Sequence, residues 1–288
     1  LEVIARRLDG FHEIETLMTP ISLFDTLLFR STPAGEIHLH CEWAAGLALI
    51  HEETSGPASL PPSEDHPVFR ALTTWAREAT VTCGAEVRLG KRIPAAAGLG
   101  GASSDAAAAL LLANAAWDLH WPLSRLAEVA ASLGSDIPFF LFGASAICRG
   151  RGERVERLPT FPRLAVVVVK PPVGLSTPAV YRGCQVTQQP VGVQALQAAG
   201  KHRGIAGIAG SMKNDLEMPA CELTPWIGRL RQTFDALGVV GHQMSGSGSS
   251  YFGICRNVAH ARRMARTLRS RRVGRVIQAE TCHFPQLV

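Results

Sequence analysis

An α+β fold in two domains is what this chain predicts, from three observations. Its 288 residues are 47% hydrophobic, enough for a large core, and that length corresponds to about two domains. Strand-like and helix-like patterns follow one another through both halves, with no internal repeat and no low-complexity tail. A proline-bounded stretch, residues 159–162, gives the expected boundary, so the domains are residues 1–158 and 159–288.

The elements follow in order. Residues 1–5 read as a strand, Asp9-Gly10 as a tight turn and residues 11–28 as one or two further strands with an apolar face, so the chain opens as a hairpin. Residues 36–42 form another strand. Residues 54–65, rich in Pro, Ser and Gly, are a loop, after which the spacing of Val68, Leu72 and Trp75 predicts a helix. Residues 86–89 form a strand feeding a glycine turn. Ser124 is expected to cap a helix that runs to Leu133 and ends at Gly134, and Ser135-Asp136-Ile137-Pro138 to start a short element. Residues 144–149 and 154–158 are strands around Gly150-Arg151-Gly152. The second half gives a strand at 164–170, several helices, a strand-loop-strand at 239–255, a basic helix and a last strand near 273–282.

The run from Lys91 to Leu110 joins a strand, a glycine turn and a helix start, which together form a phosphate seat. Gly98, Gly100 and Gly101 lack a Cβ and can take positive φ, so successive N–H groups can face one concavity. Ser103 and Ser104 then open an alanine-rich helix whose N-terminal amides and dipole favour an anion. A dinucleotide fingerprint would need a glycine where Ser103 stands, and a Walker loop would need Gly-Lys-Ser/Thr, so neither applies.

Composition excludes several other classes. No apolar run reaches the roughly 18–20 residues that span a bilayer, and no signal-peptide pattern opens the chain, so secretion is not expected. The seven cysteines are scattered without a Cys-x-x-Cys pair, and the ten histidines form no metalloprotease motif. The net charge of +5 suits an anionic ligand. Eight arginines between Arg256 and Arg275 accompany the helical stripe Val258, Ala261, Ala265 and Leu268, which reads as a solvated face. Without interleaved aromatics, nucleic acid is not the expected partner.

The pattern Pro-x-x-x-Gly-Leu-Gly-Gly-x-Ser-Ser resembles the ATP loop of the GHMP kinases, the superfamily of galactokinase, homoserine, mevalonate and phosphomevalonate kinases. It occupies Pro94, Ala95, Ala96, Ala97, Gly98, Leu99, Gly100, Gly101, Ala102, Ser103 and Ser104. Asp9-Gly10-Phe11-His12-Glu13, Gly134-Ser135-Asp136-Ile137-Pro138, Gly150-Arg151-Gly152-Glu153, Asn214-Asp215-Leu216 and Met244-Ser245-Gly246-Ser247-Gly248-Ser249-Ser250 stand in order beside it. Together they resemble the 4-diphosphocytidyl-2-C-methyl-D-erythritol kinase family over nearly the whole chain. The resemblance implies a ribosomal-protein-S5-like N-terminal domain and a ferredoxin-like C-terminal domain.

The activity it implies is transfer of the γ-phosphoryl of ATP, with Mg²⁺, to the 2-hydroxyl of a CDP-linked methylerythritol in the non-mevalonate route to isoprenoids. Asp136 matches the family's base, Phe11 and His12 its cytosine-recognising pair, Tyr181 the opposing aromatic and Thr177 a substrate-contacting residue. Asp136 also suits an N-cap, and the two uses are compatible. The family commonly has Tyr where Phe11 stands. The metal ligand stays open between Ser103 and Ser104, Lys91 is either near the nucleotide or a solvated charge, and a homodimer is left open. The family's opening Pro-x-Lys-x-Asn has no counterpart here, so weak turnover is expected of these residues as they stand. A cytoplasmic protein with a small-molecule substrate and no membrane partner is expected. The alternatives are a sister kinase acting on homoserine, mevalonate or a sugar, and a noncatalytic nucleotide- or RNA-binding relative.

Overall fold

The computed structural model describes residues 1–33, 35–45, 47, 60, 62–158 and 160–284. Strands β1 (Glu2–Arg6) and β2 (His12–Met18) pair as an antiparallel hairpin. Its turn is closed by the Arg7 N–H donating to Phe11 O at 2.9 Å, and Gly10 takes the left-handed φ of 84° that the turn requires. β3 (Thr26–Thr32), β4 (Ile37–Trp43) and β5 (Gly84–Lys91) form a second sheet in the order β3-β5-β4, with β4 parallel to β5. β6 (Ala146–Gly150) and β7 (Arg154–Arg157) extend the first sheet to β1-β2-β6-β7.

Among the described residues four α-helices complete this half. In α1 (Pro67–Glu78) the residues Val68, Ala71, Leu72 and Trp75 recur at one helical face and are fully buried. α2 (Gly101–Ala116) is alanine-rich, so it packs closely through Ala106, Ala109, Leu110 and Ala113 against α1 and β3. α3 (Leu123–Leu133) and the short α4 (Ile137–Leu141) close the core with Leu126, Val129, Ile137 and Leu141. Burying each such aliphatic side chain contributes about 1.5–3 kcal/mol, so this cluster sets the rigid floor beneath the glycine turn.

In the second half β8 (Ala165–Lys170) is buried along its whole length. Val167 and Val169 face one core and Val166 and Val168 another, which is why four valines run without alternation. β9 (Gly241–Met244), β10 (Tyr251–Cys255) and β11 (Arg275–Glu280) complete an antiparallel sheet in the order β11-β8-β10-β9. Around it lie α5 (Thr177–Gly183), α6 (Val193–Gly210, broken at Gly204), α7 (Glu217–Leu223), α8 (Pro225–Asp235) and α9 (Val258–Ser270). In α9 the Asn257 side chain caps the helix by accepting from the His260 N–H at 2.8 Å, and the arginines face outward while Ala261, Ala265 and Leu268 are buried.

Several expectations change. Residues 11–28 give two strands separated by a non-strand segment, 19–25, that docks on the other half: Ser22 N–H donates to Glu280 O at 2.8 Å and Cys282 N–H to Pro20 O at 2.9 Å. Ser124 lies inside α3, whose N-cap is Pro122, while Gly134 ends the helix as expected, in an extended conformation. The expected loop at 54–65 and boundary at 159–162 fall partly outside the described residues, at 54–59, 61 and 159.

Candidate active site

β5 delivers the chain into the glycine turn. Gly98 has φ 68°, and a Cβ there would lie 2.6 Å from Gly248 O and closer still to Ser245 O. Gly100 has φ 66° and packs on Phe140, where a Cβ would stand 2.5 Å from the ring. α2 begins at Gly101, two residues before the expected serines, because Gly100 can take the left-handed cap conformation. Its first i→i−4 bond is Ser104 N–H to Gly100 O at 2.8 Å, so the amides of Gly101, Ala102 and Ser103 are left for an anion at the positive end of the helix. The two serines now differ. Ser104 Oγ donates to Gly101 O at 2.7 Å, whereas Ser103 Oγ has no protein partner among the described residues.

A second wall comes from the loop between β9 and β10. Ser245 Oγ donates to Gly98 O at 2.9 Å and the Ser250 N–H to Ala97 O at 2.9 Å, tying this loop to the glycine turn. On its other side Ser247 Oγ lies 2.7 Å from Thr177 Oγ1 and Ser249 Oγ donates to Val173 O at 2.5 Å. Asn214 Nδ2 holds the loop from behind through Met244 O and Gly246 O. Lys170 Nζ, buried, donates to the carbonyls of Pro171 and Val173, and burial lowers its pKa to about 8. The alternation of Ser and Gly is thus a two-sided brace.

Asp136 occupies the N-cap position of α4, yet its side chain accepts no capping bond. The capping use that the sequence allowed is not made, and the carboxylate is open to the cleft. The residue is exposed on the cleft side, and desolvation by the protein around it raises its pKa above the ordinary carboxylate value. Gly152 keeps its other flank clear: φ is 120° and a Cβ would come within 3.3 Å of Asp136 Oδ1. Because Phe140, which meets Gly100, is four residues along from Asp136, α4 sets the carboxylate beside the glycine turn.

Three of the four lysines are committed elsewhere. Lys91 pairs with Asp25 and Asp105, Lys170 with carbonyls, and Lys213 with Glu2 and Asp215. Lys201 is exposed on α6.

A third group lies at the hairpin end. The His12 and Tyr181 rings approach to 5.2 Å between centroids at an interplanar angle of 33°. His12 Nε2 is buried without a partner, and burial together with the Arg6 charge lowers its pKa, favouring the neutral ring. Burial raises the Tyr181 pKa, so its hydroxyl stays protonated. Phe11 is 48% exposed, and the Arg151 guanidinium lies 4.7 Å from its ring centre. The ring that Tyr181 faces is therefore His12, with Phe11 beside it.

One cleft of about 1380 Å³ is lined by residues 94–104, Asp136, Phe11, His12, Thr177, Tyr181 and the 245–247 wall. Every candidate residue read from the sequence lies on it. Sequence reasoning missed Asp25, whose partner is 66 positions away, and Asp105. A local signal for Asp105 did exist: it is the single charged residue in a stretch of alanine and leucine. It also left Lys91 between a nucleotide neighbour and a solvated charge. The structure buries it in two ion pairs because Asp25 and Asp105 converge on it.

The model of the GHMP kinases N terminal domain matches residues 66–144, and that of the GHMP kinases C terminal matches residues 193–273. The chain is 39% identical to the 4-diphosphocytidyl-2-C-methyl-D-erythritol kinase of Pelotomaculum thermopropionicum, over 100% of this chain and 95% of that protein. It is 36% identical to the same-named kinase of Moorella thermoacetica, over 93% and 90%. Its backbone is similar to a crystal structure of 4-(cytidine 5'-diphospho)-2C-methyl-D-erythritol kinase, with TM-score 0.78 and 35% identity over 97% of this chain and 94% of that one. A homoserine kinase from Cytophaga hutchinsonii, at TM-score 0.67 and 16% identity over 94% and 95%, shares the fold. With both halves matched and full-length relatives above 30% identity, the chain belongs to the GHMP kinases and, among them, to the 4-diphosphocytidyl-2-C-methyl-D-erythritol kinase family.

Proposed function

We propose that the protein transfers the γ-phosphoryl of ATP to the 2-hydroxyl of 4-diphosphocytidyl-2-C-methyl-D-erythritol. The observation that carries this reading is the shared cleft: open helix-start amides, an uncapped carboxylate and an aromatic pair with an unpartnered His12 Nε2 all line it. The amides of residues 101–103 hold the polyphosphate, and the wall at 245–250 confines it. Asp136, ionised, accepts the proton of the acceptor hydroxyl as that oxygen attacks phosphorus. His12 and Tyr181 take the cytosine, the neutral imidazole meeting its hydrogen-bonding edge and the rings its face, with Phe11 as a further wall.

Among the described residues no group of three or more His, Cys, Asp or Glu converges as a metal cage. Mg²⁺ fits this donor set, because it keeps several waters and takes most of its remaining ligands from phosphates, needing one or two protein oxygens; Ser103 Oγ, unpartnered, is our choice for one. Bound there, the ion would neutralise charge between the β- and γ-phosphates.

Among the described residues every strand up to Arg157 pairs within two sheets and every strand from Ala165 within a third, which supports domains at 1–158 and 159–288. No helix among the described residues is long and apolar enough to cross a membrane, and we place the reaction in the cytoplasm. The homodimer that the sequence leaves open is tested by light scattering. The function is tested with the full-length natural chain, ATP and, in parallel, the CDP-linked alcohol, homoserine, mevalonate and a hexose. Phosphorylation of the CDP-linked alcohol alone is expected; preference for any of the others would overturn the assignment.

A further inference from the structure

The glycine turn leaves β5 at Lys91, and at that point the structure buries a network of charge. Lys91 Nζ lies 2.5 Å from Asp25 Oδ2 and 2.6 Å from Asp105 Oδ2, and the three side chains are 6%, 3% and 4% exposed. The other oxygen of Asp25 accepts from the backbone N–H groups of Arg92 and of Ile93, the latter at 2.8 Å. Arg275, at the start of β11 in the other half, donates from Nη2 to Arg92 O at 2.9 Å, and its Nη1 is buried without a partner. Burial lowers the Arg275 pKa, and the nearby Asp25 charge opposes that shift. Two cations and two carboxylates thus meet from four elements: the 19–25 segment, β5, α2 and β11.

Stability alone is a poor reason for such a network. Taking charges out of water costs several kcal/mol per ion, and a well-packed apolar cluster in the same place would be as stable or more so. What the bonds do fix is position. Asp25 holds the amides where the turn begins, and Asp105, one residue beyond Ser104, holds the place where it ends. One ammonium joins the two, so residues 92–104 are anchored at both ends. Arg275 extends the grip to the sheet that also carries the 245–250 wall through β10.

We propose that Asp25, Lys91, Asp105 and Arg275 form an electrostatic staple that holds residues 92–104 in the shape that receives the nucleotide, and that Arg275 aligns this turn with the second half of the chain. They are positioning residues: their effect reaches the phosphates through the backbone amides they fix. The inference rests on the kinase reading above for its kinetic consequences only.

The test uses the full-length chain with Asp25→Ala, Lys91→Met, Asp105→Ala and Arg275→Ala, and with Lys91→Arg and Asp25→Asn as conservative partners. The KM for ATP should rise about tenfold or more in the first three and less in Arg275→Ala, while kcat and the KM for the alcohol stay within about threefold. Lys91→Arg should recover part of the loss. Amide hydrogen exchange at residues 92–104 should quicken in the same order, and binding of the nonhydrolysable analogue AMP-PNP should weaken.

Unchanged exchange at 92–104 and unchanged AMP-PNP affinity in folded variants would overturn the staple, as would a fall in kcat with the KM for ATP unmoved. Should the alanine and methionine variants not fold, Asp25→Asn and Lys91→Arg, which keep the side-chain volume, decide by the same exchange measurement. A wild-type chain that binds AMP-PNP but phosphorylates no alcohol would sink the kinase reading and leave the exchange test of the staple intact.

Discussion

Asp136 combines two properties that pull against each other. Its folded-state pKa lies above the ordinary carboxylate value through desolvation by neighbouring protein, although the residue is exposed to the cleft. Any stability it contributes is therefore fully present below that ordinary value and is lost as pH rises through the raised pKa. Catalysis needs the opposite, ionised form. Asp136→Asn is expected to lower kcat about 10²–10⁴-fold and to raise the melting temperature at pH 7 by more than at pH 4. Melting curves at the two pH values check the second point, and equal shifts would argue against a destabilised carboxylate.

His12 and Tyr181 make a separate prediction. A base-stacking contact contributes about 1–3 kcal/mol, so Tyr181→Ala should raise the KM for the CDP-linked alcohol about 5- to 150-fold and leave the KM for ATP alone. Steady-state kinetics with each substrate varied in turn decides it. His12 could be proposed from the Asp9-Gly10-Phe11-His12-Glu13 motif, whereas Tyr181 came only from the family resemblance. The pairing of His12 with Tyr181, rather than Phe11 with Tyr181, was not legible: it depends on which face of β2 turns toward α5, and no local pattern encodes that.

At the scale of elements, the 92–100 turn is where local sequence and local geometry disagree. Ala96 has φ 48°, in the left-handed region that disfavours a residue with a Cβ by about 1–2 kcal/mol. Gly98 and Gly100 sit at positive φ without that cost. Ala96→Gly should relieve the strain, offset by about 0.5–1 kcal/mol of extra freedom in the unfolded chain. The net expected gain is about 2 °C in melting temperature, measured by calorimetry; a lower value would mean that packing of the Ala96 methyl outweighs the backbone. Gly98→Ala is expected to act the other way, because its Cβ would push the turn off the 245–250 wall and weaken AMP-PNP binding.

α1 and α9 could be read from periodicity, as in α1, where four apolar positions recur on one face, whereas α5 to α8 were foreseen only as several helices. The start of α2 could not. It depends on the left-handed cap at Gly100, and a serine pair looks like a cap in the sequence. Residues 19–25 fall within the stretch that reads as one or two strands, but the backbone of residues 20–22 bonds to β11 and its following residues, some 260 positions away.

Across the whole molecule, two halves with separate sheets meet along one cleft, and each contributes walls that are incomplete alone. The first half supplies the helix-start amides and Asp136; the second supplies Tyr181, Thr177 and the Ser/Gly brace. The contacts that weld the halves, Ser245 to Gly98 and Arg275 to Arg92, each join residues more than 140 positions apart and carry no sequence signature. Of the arginines on and after α9, Arg262, Arg263, Arg266, Arg271 and Arg272 face outward without an acidic partner among the described residues, consistent with a solvated face.

The central claim is that the nucleotide's phosphates and the acceptor alcohol meet between the residue 98–103 amides and Asp136. A crystal structure of the full-length chain with AMP-PNP and the CDP-linked alcohol tests it most directly. The γ-phosphate should lie against the amides of residues 101–103, with the 2-hydroxyl within hydrogen-bond reach of the Asp136 carboxylate. A γ-phosphate seated away from that turn, or a 2-hydroxyl that faces a different carboxylate, would contradict it.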